Sequence, residues 1–234
     1  MTFPLRSIRR YPVKAMGGEA LTEVQLDARG IPGDRGFAVA DEDGKFASGK
    51  NTRRFRRRDA VFAYSASTAA DGSVRVQREA SMWLVGEPEL DADLTETMGA
   101  NVRVIPEGDV SMQDGGQISI VGTASLAWCA EQFGIDADPR RLRVNLVVET
   151  DEPFIEETWL GQEITVGDAR LRVVERIERC RTVDVAQDGA SAEGRLLKPL
   201  TKAREMSLAV YADVVEAAII RVGDGVAAGS DVTG

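Results

Sequence analysis

The sequence predicts a mainly β, α+β protein built as two β-barrel-like domains with a few short helices. Three observations predict it. Apolar residues recur at short spacings through most of the chain, Asp-Gly pairs separate several of these runs, and helical spacing is strong in one stretch only. A chain of 234 residues can bury a large core. Its 43% hydrophobic and 29% charged residues are ordinary for a globular protein and argue against a disordered or collagenous chain.

From Leu21 to Gln77 the apolar positions Leu21, Val24, Leu26, Phe37, Val39, Phe46, Val61, Val74 and Val76 read as strands. Asp43-Gly44 and Asp71-Gly72 lie between such runs and supply the positive φ angles of tight hairpins. Alternation lapses between Ser81 and Gly99, and a strand resumes over Val102–Ile105. A domain boundary is therefore placed near residue 95, dividing 1–94 from 95–228, with 229–234 a flexible tail. Thr123 or Ser125 is positioned to cap a helix through Leu126, Cys129, Ala130 and Phe133, and Gly134 to stop it. Ile164–Val166 and Leu171–Val173 flank Gly167-Asp168, and Ile219–Val222 leads through Gly223-Asp224 to Val226, two strand-turn-strand signals. No parallel βαβ rhythm is visible, which favours barrels in both halves.

Thirty-eight acidic against 29 basic residues leave a formal net charge of -9. The averaged field repels nucleic acid and anionic membranes, so an anion must bind at a local basic site. With no apolar run of about 18 residues and no signal-peptide core, the cytoplasm is the expected compartment. Cys129 and Cys180 are too far apart for a zinc or redox motif and are expected to be free thiols. Histidine is absent. That excludes Ser-His-Asp and Cys-His nucleophile systems, His-ligated zinc and any imidazole base.

Arg179 and Arg181 flank Cys180, and adjacent cations favour thiolate over thiol. Were one strand to continue from Ile177 to Val185, Cys180, Thr182 and Asp184 would share its polar face. A thiolate there could ligate a soft metal, carry a persulfide or attack an electrophile, or it could simply be a half-buried cysteine. In Arg141-Leu-Arg143-Val-Asn145, alternation would put two guanidinium forks and an amide on one face, suited to a phosphate and a heterocycle edge or to surface salt bridges. Lys14 and Arg35 each follow a turn and could reach an anion. The arginines at 53, 54, 56, 57 and 58 have only Phe55 as an aromatic platform, so they read as a solvated rim or a site for an acidic protein. Glu156-Glu157 and Asp41-Glu42-Asp43 are consecutive residues whose side chains diverge, and they read as surface.

Taken in order, Tyr11-Pro-Val-Lys14, Gly33-Asp-Arg35, Thr123-Ala-Ser125-Leu, Arg141-Leu-Arg-Val-Asn145, Ile164-Thr-Val-Gly-Asp168 and Arg179-Cys180 resemble the MOSC family with its N-terminal β-barrel domain. The resemblance spans nearly the whole chain and implies that the C-terminal half is a MOSC barrel. It also implies a molybdenum-pterin cofactor with Cys180 as metal ligand. Lys14, Arg35, Thr123, Ser125, Arg141, Arg143 and Asn145 would surround the pterin and its phosphate. Relatives of the amidoxime-reducing component take oxygen from small N-hydroxylated substrates or S- and N-oxides. Their electrons come from a separate ferredoxin, flavin reductase or cytochrome-type protein, and the chemistry is independent of pyridoxal phosphate. Here Arg181-Thr-Val-Asp184 replaces the Thr-Thr-Val-Asp stretch of that branch, so Asp184 is expected in the catalytic pocket, where its charge bears on substrate choice. A sulfur carrier using a Cys180 persulfide and a non-catalytic pterin- or partner-binding module are the alternatives. No nucleic-acid or membrane partner is expected.

Overall fold

A computed structural model describes residues 1–109 and 111–229; of the tail expected over 229–234, everything past Gly229 lies outside the described residues. Strand β1 (Thr2–Arg10) buries Phe3 and Leu5, and a register shift between Leu5 and Ser7 changes the phase so that Ile8 points inward next. Short strands β2 (Glu19–Leu21) and β3 (Glu23–Gln25) follow. Strands β4 (Phe37–Asp41), β5 (Phe46–Ser48) and β6 (Phe55–Arg57) then begin the N-terminal lobe. Gly44, at φ 71°, turns β4 into β5 as the Asp-Gly pair predicted, and Gly72, at φ 84°, does the same for β7 (Ser65–Thr68) and β8 (Val74–Arg78).

Strand β9 (Ser81–Leu84) completes a three-stranded sheet with β7 and β8, and β10 (Val102–Pro106) adds to β4. Between them, helix α1 (Pro88–Met98) buries Leu90 and Leu94 on Val39, Val61, Phe62, Tyr64 and Val76. A cut at 94/95 passes through this helix.

The remaining strands are β11 (Ile118–Gly122), β12 (Leu146–Val148), β13 (Glu163–Val166), β14 (Ala169–Glu178), β15 (Ser207–Glu216), β16 (Ile219–Arg221) and β17 (Gly225–Ala228). The order β12-β11-β15-β14-β13-β17-β1, with β1 returning to β12, closes a seven-stranded barrel. Its interior is filled by Phe3, Leu5, Ile8, Ile120, Leu146, Val148, Trp159, Ile164, Leu171, Val173, Val210 and Val226, among others. The fold is therefore mainly β with few helices, as expected, and the first strand of the chain is a stave of the C-terminal barrel. Among the described residues no helix is long and apolar enough to cross a membrane.

Four local expectations are corrected. Helices α2 (Thr123–Phe133) and α3 (Pro139–Leu142) bridge β11 to β12, which pair in parallel, so one βαβ crossover is present. Gly122, not Thr123 or Ser125, precedes α2, while Gly134 ends it in the left-handed conformation. Arg141 to Asn145 is not a strand, because Pro139 and the Asp138 side chain, accepting from the Arg140 amide, start α3, and Arg143 follows at φ 55°. Gly223-Asp224 separates strands that do not pair with each other: β16 pairs with β3, and β17 with β1 and β13.

Candidate functional site

At one end of the barrel, the loop after β1 and the turn after β14 meet β5 and β6 of the N-terminal lobe around a cavity. The strand expected to run through Cys180 stops at Glu178, and a 3-10 turn over Arg181–Asp184 follows. Cys180 is half-buried there, its sulfur 3.3 Å from Thr182 Oγ1. The two flanking arginines part company. Arg179 is buried and lines the cavity, donating from Nε to Leu208 O (2.7 Å) and from Nη1 to Leu142 O (2.8 Å). Arg181 instead forms a bidentate pair with Asp59 (2.8 and 2.6 Å) and donates to Gly49 O, tying the Cys180 turn to the N-terminal lobe. That pair holds the Asp59 carboxyl below its ordinary range.

Lys14, Arg35 and Arg143 line the same cavity as Cys180. Lys14 is buried and donates to Met112 O (2.8 Å) and to Asp114 (2.9 Å); burial lowers its pKa. The Tyr11 ring, fully buried, carries Arg143 at 4.5 Å, Arg35 at 4.9 Å and Arg9 at 5.8 Å. Arg35 is further held by the buried Asp34 carboxylate and by Arg143 O. Burial pushes the pKa values of Arg143 and Arg179 down to about 10, and each leaves its buried Nη2 without a hydrogen-bond partner among the described residues. A buried guanidinium hydrogen left unpaired is costly, and an anion would relieve it.

Other expected site residues take structural posts. Arg141 borders the cavity, but its guanidinium is spent on the carbonyls of Val183, Asp136, Glu193 and Gly194. Asn145 is buried behind Arg35, its Oδ1 accepting from Ser119 Oγ at 2.8 Å and its Nδ2 donating to Arg9 O. Asp184 does not line the cavity; it accepts from the Leu197 amide, at the start of helix α4 (Leu197–Arg204), and lies 3.9 Å from Arg141. Thr123 bonds Thr150, Ser125 bonds Glu156, and neither borders the cavity.

Glu156, read as surface, is fully buried and accepts from Ser125 Oγ at 3.0 Å. Burial raises its pKa, so the folded state holds this proton more tightly than the unfolded chain does. Its contribution to stability is therefore greatest at low pH and is lost as pH rises from the ordinary value of 4.5 toward the raised one. Glu156→Gln is expected to flatten that decline in a melting series from about pH 4 to about pH 8. A variant that kept the full wild-type slope would contradict this.

Tyr11, Asp34 and Asp59 escaped sequence reasoning as site residues. Tyr11 had a signal, an aromatic directly after Arg9-Arg10; Asp59 had none short of tertiary structure. The arginine cluster pairs inside its own fold: Arg56 and Arg58 reach Asp41, Arg57 reaches Asp59, and Arg54 stacks on Phe46 and Phe55.

A family model described as the MOSC domain matches residues 107–227, and one described as the MOSC N-terminal beta barrel domain matches residues 2–132. A curated relative, molybdenum cofactor sulfurase of Danio rerio, is 24% identical over 86% of this chain, which spans 31% of that protein's length. The crystal structure of the YUAD protein from Bacillus subtilis superposes with a TM-score of 0.55 at 16% identity, covering 97% of this chain and 94% of that one.

Proposed function

The chain belongs to the MOSC family, and from that premise we propose that its cavity holds a molybdenum-pterin cofactor, with the Cys180 sulfur as the protein's ligand to the metal. The observation that carries the proposal is the pairing of that half-buried thiol with two buried guanidinium groups, Arg143 and Arg179, whose Nη2 atoms lack partners. Such a set suits a ligand that brings both a soft metal and a phosphate. No group of three His, Cys, Asp or Glu side chains able to hold a metal exists among the described residues, so the remaining ligands would come from the cofactor.

When bound, the cofactor supplies two-electron oxygen-atom chemistry. The chain's own part is positioning. Lys14, Arg35, Arg143 and Arg179 would neutralise the phosphate and pterin edge, while Tyr11 and Asn145 hold the guanidinium groups in place and Arg141 ties the turn after Cys180 to α3. The protein is accordingly read as an oxidoreductase that reduces small N-hydroxylated compounds or S- and N-oxides, drawing electrons from a separate ferredoxin, flavin reductase or cytochrome-type partner. The name of the curated relative keeps a second reading, sulfur transfer through a Cys180 persulfide, in view.

Elemental analysis of protein made in a cofactor-producing host tests the proposal. Wild type and Cys129→Ser should carry about one molybdenum per chain, and Cys180→Ser at least about tenfold less. Turnover of an amidoxime with an artificial donor would then separate the enzyme from a mere binding module. No molybdenum in wild type, together with a reductant-labile mass gain of one sulfur on Cys180, would replace this reading with sulfur transfer.

A further inference from the structure

The cavity has more positive charge than the cofactor accounts for. Six basic side chains line it (Lys14, Arg35, Lys50, Arg141, Arg143 and Arg179) against two acidic ones, Asp114 and Glu178. A phosphate contributes about two negative charges at neutral pH, so a cationic surplus survives its binding. The surplus has a location. Lys14 is matched by Asp114 and Arg35 by Asp34, while Arg141 is occupied by carbonyls. Arg143 and Arg179 are deep and belong to the cofactor reading. Lys50 is different: half-buried in the wall supplied by the N-terminal lobe, its ammonium makes neither an ion pair nor a hydrogen bond among the described residues. It lies 5.1 Å from the Phe55 ring, which also carries Lys14 at 5.2 Å and Arg54 at 5.6 Å. The buried Ser48 hydroxyl and the Phe62 ring complete this wall.

Resting on the reading of the inner cavity as the cofactor site, we propose that Ser48, Lys50, Phe55 and Phe62 form a substrate subsite for a small molecule bearing a carboxylate or similar oxyanion, with Lys50 the specificity-determining residue. The ammonium and hydroxyl suit an oxyanion, and the two aromatic faces suit the apolar body that carries it. A free cation beside a low-dielectric wall discriminates between charged and neutral ligands far more than one in bulk water.

The subsite can be read without turnover. In full-length protein made without the cofactor, Cys180 is alkylated with anionic iodoacetate and with neutral iodoacetamide, and modification at Cys180 is followed by peptide mass. Lys50→Gln should slow iodoacetate by about fivefold or more and leave iodoacetamide nearly unchanged. Lys198→Gln, an exposed lysine on α4, should change neither. Equal slowing of both reagents, or no effect on iodoacetate, would overturn the proposal. In the cofactor-producing host, Lys50→Gln should retain wild-type molybdenum; its loss would place Lys50 on the cofactor and overturn the subsite. If wild type carries no molybdenum, the cofactor reading falls, while the contrast between the two reagents still decides whether Lys50 binds an anion beside Cys180.

Discussion

A fragment of residues 95–228, the C-terminal domain as the sequence alone would cut it, should not fold. Removing β1 exposes the edges of β12 and β17 that it bridges, and takes Phe3, Leu5 and Ile8 out of the barrel core. Burying each such side chain stabilises by about 1.5–3 kcal/mol, so three of them, with the backbone pairing on both edges, approach the whole stability margin of about 5–15 kcal/mol. Opened edges also invite aggregation. Circular dichroism should show no cooperative melt for the fragment, and a peptide of residues 1–21 added in trans should restore one. A fragment melting within about 5 °C of the full chain would mean that the barrel does not need its seventh stave.

Arg141→Ala should cost about 3–5 kcal/mol, because it removes a buried side chain that donates to four carbonyls, the buried one of Val183 among them, and leaves a side-chain-sized void. In a chain of this length that lowers the melting temperature by about 10 °C, measurable on protein without cofactor. Arg141→Lys should recover little, since one ammonium on a single stem cannot span carbonyls reached by three guanidinium nitrogens. If Arg141→Ala instead melts like wild type and loses only molybdenum, the side chain is the phosphate ligand that the motif suggested, and its carbonyl contacts are secondary.

Local chemistry was readable in the sequence wherever it depended on neighbours in the chain. The hairpins at Gly44, Gly72 and Gly167 and the stop of α2 at Gly134 follow from positive φ angles that glycine adopts freely. The site was legible as a set of residue types: Lys14, Arg35, Arg143 and Cys180 do come together. What could not be read was which way a polar group would face. Arg141 and Asn145 satisfy buried backbone or neighbouring side chains, Asp184 starts a helix, and Arg181 finds an aspartate 122 positions away. Such choices depend on long-range partners. Glu156 failed as a surface assignment for the same reason, since its burial is imposed by Ser125 and the end of β11 rather than by its acidic neighbour.

The way β1 joins the barrel also governs how the protein can be born. Its partners are β12, near residue 147, and β17, at residues 225–228. At synthesis rates of about 5–20 residues per second, β1 leaves the ribosome on the order of ten to forty seconds before β17 does. Until then Phe3, Leu5 and Ile8 form an apolar segment of the nascent chain that lacks its barrel partner β17, a substrate for holding chaperones. The barrel, which holds the loop from Tyr11 to Lys14 at the cavity, can close only after β17 has emerged.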